Sequence, residues 1–72
     1  MPKKTSPADV LSPRERAVVL GIAEGKTYQE IAESLGVGYE TVKTYAARLR
    51  KKLGLNSKTS VAVWAVRNKL TD

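Results

Sequence analysis

Eight of the thirteen Lys and Arg residues fall after position 40: Lys43, Arg48, Arg50, Lys51, Lys52, Lys58, Arg67 and Lys69. Against them stands one carboxylate, Asp72, so residues 41–72 carry a net charge of +7. Residues 1–40 are close to balance, with five cations and six carboxylates, and the whole chain is +6. The chemistry open to such a set is donation to phosphates and to the acceptor edges of bases, and a one-sided positive field favours a polyanionic partner. On charge alone, a basic solvated face without a partner is the other reading. Absences narrow the choice further. There is no Cys and no His, which removes thiolate metal sites along with the commonest general base. With no nucleophile–base pair, metal cluster or phosphate-cradling glycine loop, the chain does not read as an enzyme, and no cofactor or metal is expected.

These cations must be held by a small fold. Seventy-two residues allow one domain, and 42% apolar with 28% charged residues is a globular composition. No apolar run approaches the roughly 20 residues of a bilayer span, and no signal region follows Met-Pro-Lys-Lys. A soluble, cytoplasmic protein is therefore the expectation. Residues 1–10 lack apolar periodicity and read as a flexible basic arm, leaving residues 11–72 as the domain.

Within that domain the punctuation is helical throughout. Ser12-Pro13-Arg14-Glu15 and Thr27-Tyr28-Gln29-Glu30 both have capping-box spacing, and Pro13 suits a first helical position. Gly25, Gly36 and Gly54 fit helix ends. Apolar stripes run through Val18, Val19, Ile22 and Ala23, through Ile31, Ala32 and Leu35, and through Val42, Ala46, Leu49 and Leu53. The fold class expected is all-α: a compact four-helix domain containing a helix-turn-helix, with helices about 12–24, 27–35, 38–53 and 57–69. The join Gly36-Val37-Gly38 is short enough to set the second and third helices at a steep angle. Val37 is expected to tuck between them.

If Val42, Ala46 and Leu49 face the core, Glu40, Lys43, Thr44, Ala47, Arg48 and Lys51 lie opposite. The N-terminal part of that face is mostly small with one long cation, Lys43, which suits the major groove, about 12 Å wide. Lys43 would donate to guanine O6 and N7, while Thr44 and Ala47 would meet a thymine methyl or base edge. Arg48 and the run Arg50-Lys51-Lys52 would lie nearer the phosphates. A solvated helix face that serves only solubility is the competing reading.

The matches are Leu11-Ser12-Pro13-Arg14-Glu15, Ala23-Glu24-Gly25-Lys26-Thr27, Glu30-Ile31-Ala32, Leu35-Gly36-Val37, Thr41-Val42-Lys43-Thr44, Lys52-Leu53-Gly54-Leu55 and Ser57-Lys58 before Ala62, and the similarity they carry spans Leu11 to about Leu70. On these residues the chain resembles the LuxR-type (GerE-type) helix-turn-helix domain of bacterial response regulators and small standalone regulators. The resemblance implies sequence-specific binding of double-stranded DNA by a transcriptional regulator, with the third helix as the recognition helix. It puts Lys43 at the base-reading position, with Thr44 and Ala47 beside it, and Lys26, Thr27, Tyr45, Lys52 and Lys58 at backbone-contacting positions. Bound to DNA, such a protein is nucleoid-associated. Three residues depart from the family pattern: Tyr45 where His is usual, Ala47 where some relatives carry a long polar side chain, and Gly38 in place of a Ser or Thr cap. Tyr28 and Tyr39 start helices on the DNA side, as helix-end covers or as phosphate contacts. Glu15 is expected to cap or to pair with a basic neighbour. Glu40 either faces away or accepts from cytosine N4.

The fourth helix carries the apolar run Val61-Ala62-Val63-Trp64-Ala65-Val66. With Ala62, Val66 and Leu70 turned inward, Val61, Trp64, Ala65 and Asn68 would share an outward face fit for a partner. Trp64 packed into the core against the first helix is the alternative. The resemblance implies a homodimer through this helix on a partly palindromic site, and RNA polymerase is a further partner in view; no membrane contact is expected. A second function class stays open: a protein-interaction module that keeps the fold and binds another regulator. The absence of a receiver or ligand domain within these residues, and Ala47, are its support.

Overall fold

The computed structural model describes residues 11–68. The basic arm expected over residues 1–10 lies outside the described residues, as do Lys69 and Leu70. Four helices follow one another, α1 (Pro13–Ala23), α2 (Tyr28–Leu35), α3 (Tyr39–Leu53) and α4 (Lys58–Arg67). No strand occurs among the described residues.

Local chemistry starts and stops each helix. Ser12 Oγ accepts from the Glu15 amide while Ser12 N–H donates to Glu15 Oε1 at 2.9 Å, a complete capping box behind Pro13. Thr27 and Glu30 repeat the arrangement at α2. The α2–α3 turn depends on Gly36, which sits at φ 70°, a conformation side chains with a Cβ adopt only with strain. The Val37 amide then donates back to the Ala32 carbonyl at 3.0 Å, and the Val37 side chain is half-buried against the core as expected. Gly38 begins α3 without any side-chain cap, whereas Ser57 caps α4 through the Ser60 amide.

The core joins Val18, Val19 and Ile22 of α1 to Ile31 and Ala32 of α2, with Val42, Ala46 and Leu49 of α3 beneath them. The α3 stripe is fully sealed, each of its three residues at 0% exposure. One contributor has no apolar signature. A Cβ on Gly21 would fall 2.6 Å from Ile31 Cγ1, so the missing side chain lets α1 and α2 approach closely.

α4 is turned differently from the sequence expectation. Val61 and Ala65, expected outward, are 0% exposed, whereas Val66, expected inward, is 62% exposed. Val63 is also outward, at 46%. The run is apolar on all sides, so periodicity leaves its rotation open. The packing against α1 selects the side carrying small Ala65 one turn beyond Val61, where the backbones can approach more closely than Val66 would permit.

Candidate nucleic-acid interface

α3 presents its outward side as a continuous stripe. Lys43, Thr44, Ala47, Arg48 and Lys51 are all exposed, and they stand opposite Val42, Ala46 and Leu49 because helical neighbours recur every three to four residues. The basic last turn, Arg50-Lys51-Lys52, also complements the negative end of the helix dipole. Arg50 is half-buried. Thus the base-reading candidates share the middle of one face, and Arg48 and Lys51 continue it toward the C-terminal end.

Hydrogen bonds refine what each side chain can offer. The Thr44 hydroxyl donates to the Glu40 carbonyl at 3.0 Å, so its proton is engaged within its own helix. Its methyl group and remaining acceptor capacity are what it can present outward. Lys43 Nζ lies 3.9 Å from Glu40 Oε1 and 5.6 Å from the Tyr39 ring centroid, with about half its side chain exposed. Ion pairs this open contribute little, so Glu40 does not lock Lys43 away.

The flanking candidates are placed unevenly. Lys26 is half-buried and pairs with Glu24 at 3.3 Å. Thr27 is exposed, but its backbone N–H donates to Glu30 Oε1 at 2.8 Å, so this amide is already used by the capping box. Tyr45 is half-buried and packs on the core, leaving less of the phenol outward than the position's proposed role invites. Lys58 stands at the first position of α4 with its Nζ 4.7 Å from the Tyr28 ring centroid.

Lys52 does more than carry charge. Its Nζ is 2.7 Å from Glu15 Oε1, and the Glu15 carboxylate is almost wholly buried. The same carboxylate therefore closes the α1 capping box and ties α1 to the last turn of α3. Burial pushes the Glu15 pKa up; the Lys52 hydrogen bond, the Ser12 amide and the Lys52 charge outweigh it and hold the group below its ordinary value. Glu15, expected to cap or to pair, does both at once. Arg48, Lys51 and Lys52 line a shallow cleft of about 490 Å³ with Glu15, which gathers these cations at one end of α3.

The α4 surface is a separate patch. With Val61 and Ala65 sealed, only Trp64 and Asn68 of the four expected interface residues keep any exposure, and both are half-buried. Asn68 caps the end of α4, its side-chain amide donating to the Trp64 carbonyl at 2.9 Å. Trp64 packs partly on the core and partly lines a groove of about 340 Å³ with Leu55, Val63 and Arg67. Val63, also exposed and missed by the sequence reading, forms the apolar part of the patch with Val66 and Ala62.

Among the described residues no helix is long and apolar enough to cross a membrane, and no cluster of three or more His, Cys, Asp or Glu is placed to hold a metal ion. Comparison with known proteins agrees with this architecture. The chain is 41% identical over 66 residues to the transcriptional regulatory protein LiaR of Bacillus subtilis (strain 168), a match spanning 92% of the chain and 31% of LiaR. It is 43% identical over 65 residues to the probable transcriptional regulatory protein NarL of Mycobacterium tuberculosis (strain ATCC 25618 / H37Rv), spanning 90% of the chain and 30% of NarL. The oxygen regulatory protein NreC of Staphylococcus aureus (strain USA300) is 38% identical over 68 residues, 94% of the chain and 31% of NreC. The chain thus spans under a third of the length of these curated relatives. Residues 9–65 match the family described as bacterial regulatory proteins, luxR family. With four helices, a tight α2–α3 turn and this match over most of its length, the chain belongs to the luxR family of bacterial regulatory proteins, a helix-turn-helix domain of DNA-binding transcription regulation and not an enzyme.

Proposed function

We propose that this domain is the sequence-specific DNA-binding part of a bacterial transcriptional regulator acting in the cytoplasm, and that α3 enters the major groove of double-stranded DNA. The observation that carries this reading is the division of α3: Val42, Ala46 and Leu49 are sealed, and the opposite side carries exposed Lys43, Thr44, Ala47, Arg48 and Lys51. A fifteen-residue helix is about 22 Å long, enough for its central turns to reach base edges while its ends meet the backbone.

Lys43 is the principal base reader. On approach its ammonium leaves the weak Glu40 pair and donates to guanine O6 and N7. Thr44 and Ala47 supply methyl groups to a thymine, and the Thr44 oxygen can accept from an exocyclic amine. Arg48, Lys51, Lys52, Lys26, Thr27, Tyr45 and Lys58 serve the sugar–phosphate backbone, fixing register without reading sequence.

The domain pairs through α4 on a partly palindromic site. Exposed Val63 and Val66, with Ala62 and part of Trp64, form the contact; Val61 and Ala65 belong to the core beneath it. A patch this small gives weak association in isolation, so DNA brings the two copies together.

The test is a duplex selected from a random pool, titrated beside a scrambled duplex at two salt concentrations. The selected duplex should bind more tightly, and log K should fall with log salt by about 0.9 per phosphate neutralised. Equal, weak binding of both duplexes would reject sequence recognition and favour a module that binds another regulator.

A further inference from the structure

Most of the contacts made by the interface lysines involve carboxylates. Lys26 pairs with Glu24, Lys43 lies near Glu40, and Lys52 pairs with Glu15. Lys58 differs. Among the described residues no carboxylate lies within ion-pair distance of it, and its Nζ stands 4.7 Å from the centroid of the Tyr28 ring. The two residues open different helices, Tyr28 at the first position of α2 and Lys58 at the first position of α4. Both are half-buried, and Tyr28 packs against the core, so the ring is a fixed platform.

An ammonium at the first turn of α4 faces the positive end of that helix dipole, an unfavourable place for a cation. The negative face of an aromatic ring offsets this by attracting the ammonium. Unlike a carboxylate, a ring does not neutralise the charge it holds. An anion arriving at Lys58 therefore has no ion pair to displace, and the long side chain has already lost much of its rotamer freedom.

From this we infer that Tyr28 is a positioning residue for Lys58. The ring face holds the Lys58 ammonium where the starts of α2 and α4 meet, so that it is ready to contact a DNA phosphate. The inference rests on the proposed DNA-binding function and assigns Tyr28 a role that works through Lys58 and not through its own hydroxyl.

The experiment is a double-mutant cycle read by affinity for a pool-selected duplex, using the parent, Tyr28→Phe, Tyr28→Leu, Lys58→Met and the Tyr28→Leu/Lys58→Met pair. Lys58→Met should weaken binding and reduce the salt dependence by about one phosphate contact. Tyr28→Leu should weaken it about two- to five-fold, the effect of a cation–π contact that keeps part of its ammonium in water, and should have no further effect once Lys58 is gone. Tyr28→Phe, which keeps the ring, should bind like the parent. An equal loss from Tyr28→Leu with and without Lys58, or a failure of Phe to rescue, overturns the inference. So does an unaltered Lys58→Met protein, while leaving DNA binding itself intact; a parent that prefers no duplex rejects the DNA-binding reading instead. Should Tyr28→Leu fail to fold, the proton spectrum of the unbound parent decides. Lys58 ε-methylene protons shifted upfield by the ring support the pairing, and unshifted ones refute it.

Discussion

α3 and α4 each bury one side in the same core, and their outer sides differ in kind. On α3 the inner and outer sides are chemically opposite, with Val42, Ala46 and Leu49 within and Lys43, Arg48 and Lys51 without. On α4 valines occupy both sides, Val61 fully buried and Val63 and Val66 exposed. The outer side of α3 acts at a distance, since a positive field reaches about 10 Å at 0.1 M salt. The outer side of α4 acts only on contact, through apolar area removed from water. One surface can therefore steer a polyanion in from solution, and the other can only secure a neighbour already brought close.

Substitutions within α4 offer the largest test of that contrast. Val61→Ala should cost about 2.5 kcal/mol of stability because it opens a cavity in a sealed site. Val66→Ala should stay within about 0.5 kcal/mol, as exposed substitutions do. Urea denaturation of the two variants checks both, and equal losses would mean that α4 is rotated differently from the arrangement described.

A medium effect is expected where α3 is tied to α1. Glu15→Gln should cost about 1.5 kcal/mol at neutral pH, the scale of a lost hydrogen bond to a charged group. The sign of its pH dependence follows from the lowered pKa of Glu15. The carboxylate's contribution is present above the unfolded value of about 4.3 and is lost as pH falls through the folded value. Parent and variant stabilities, measured by urea melts at pH 7 and pH 3, should accordingly converge in acid. A gap of constant size would show that Glu15 acts through packing alone.

The smallest effect concerns how the two helices begin. Ser57 caps α4, whereas Gly38 gives α3 no side-chain cap. Gly38 has φ −79°, and an added Cβ would approach nothing nearer than Thr41 Oγ1 at 4.0 Å. Gly38→Ser should then stabilise by about 0.3 kcal/mol, visible as a slight rise in the thermal midpoint. A loss of stability would mean that the turn needs glycine for another reason.

Helix order, caps and the buried stripe of α3 are readable from residue types, because capping boxes act locally and a two-sided helix has one way to face a core. The rotation of α4 is not readable, since Val61-Ala62-Val63-Trp64-Ala65-Val66 satisfies an apolar core from either side; only its fit against α1 selects one. Gly21 gives no apolar signal, although its lack of a side chain sets the α1–α2 spacing. The Glu15–Lys52 pair joins residues far apart in sequence, and pairing a capping glutamate with one of several downstream lysines requires the fold. For the candidate interface, the exposed residues of α3 were legible. The internal bond of Thr44 and the ring beneath Lys58 were not, because both depend on rotamers.

The base-reading role of Lys43 is tested most directly by measuring the affinity ratio between selected and scrambled duplexes for the parent and for Lys43→Ala at one fixed salt concentration. A lost base contact predicts that this ratio falls by about ten-fold or more while scrambled binding weakens only slightly. An unchanged ratio, with both affinities lowered together, would contradict base reading by Lys43 and leave it as one more phosphate contact.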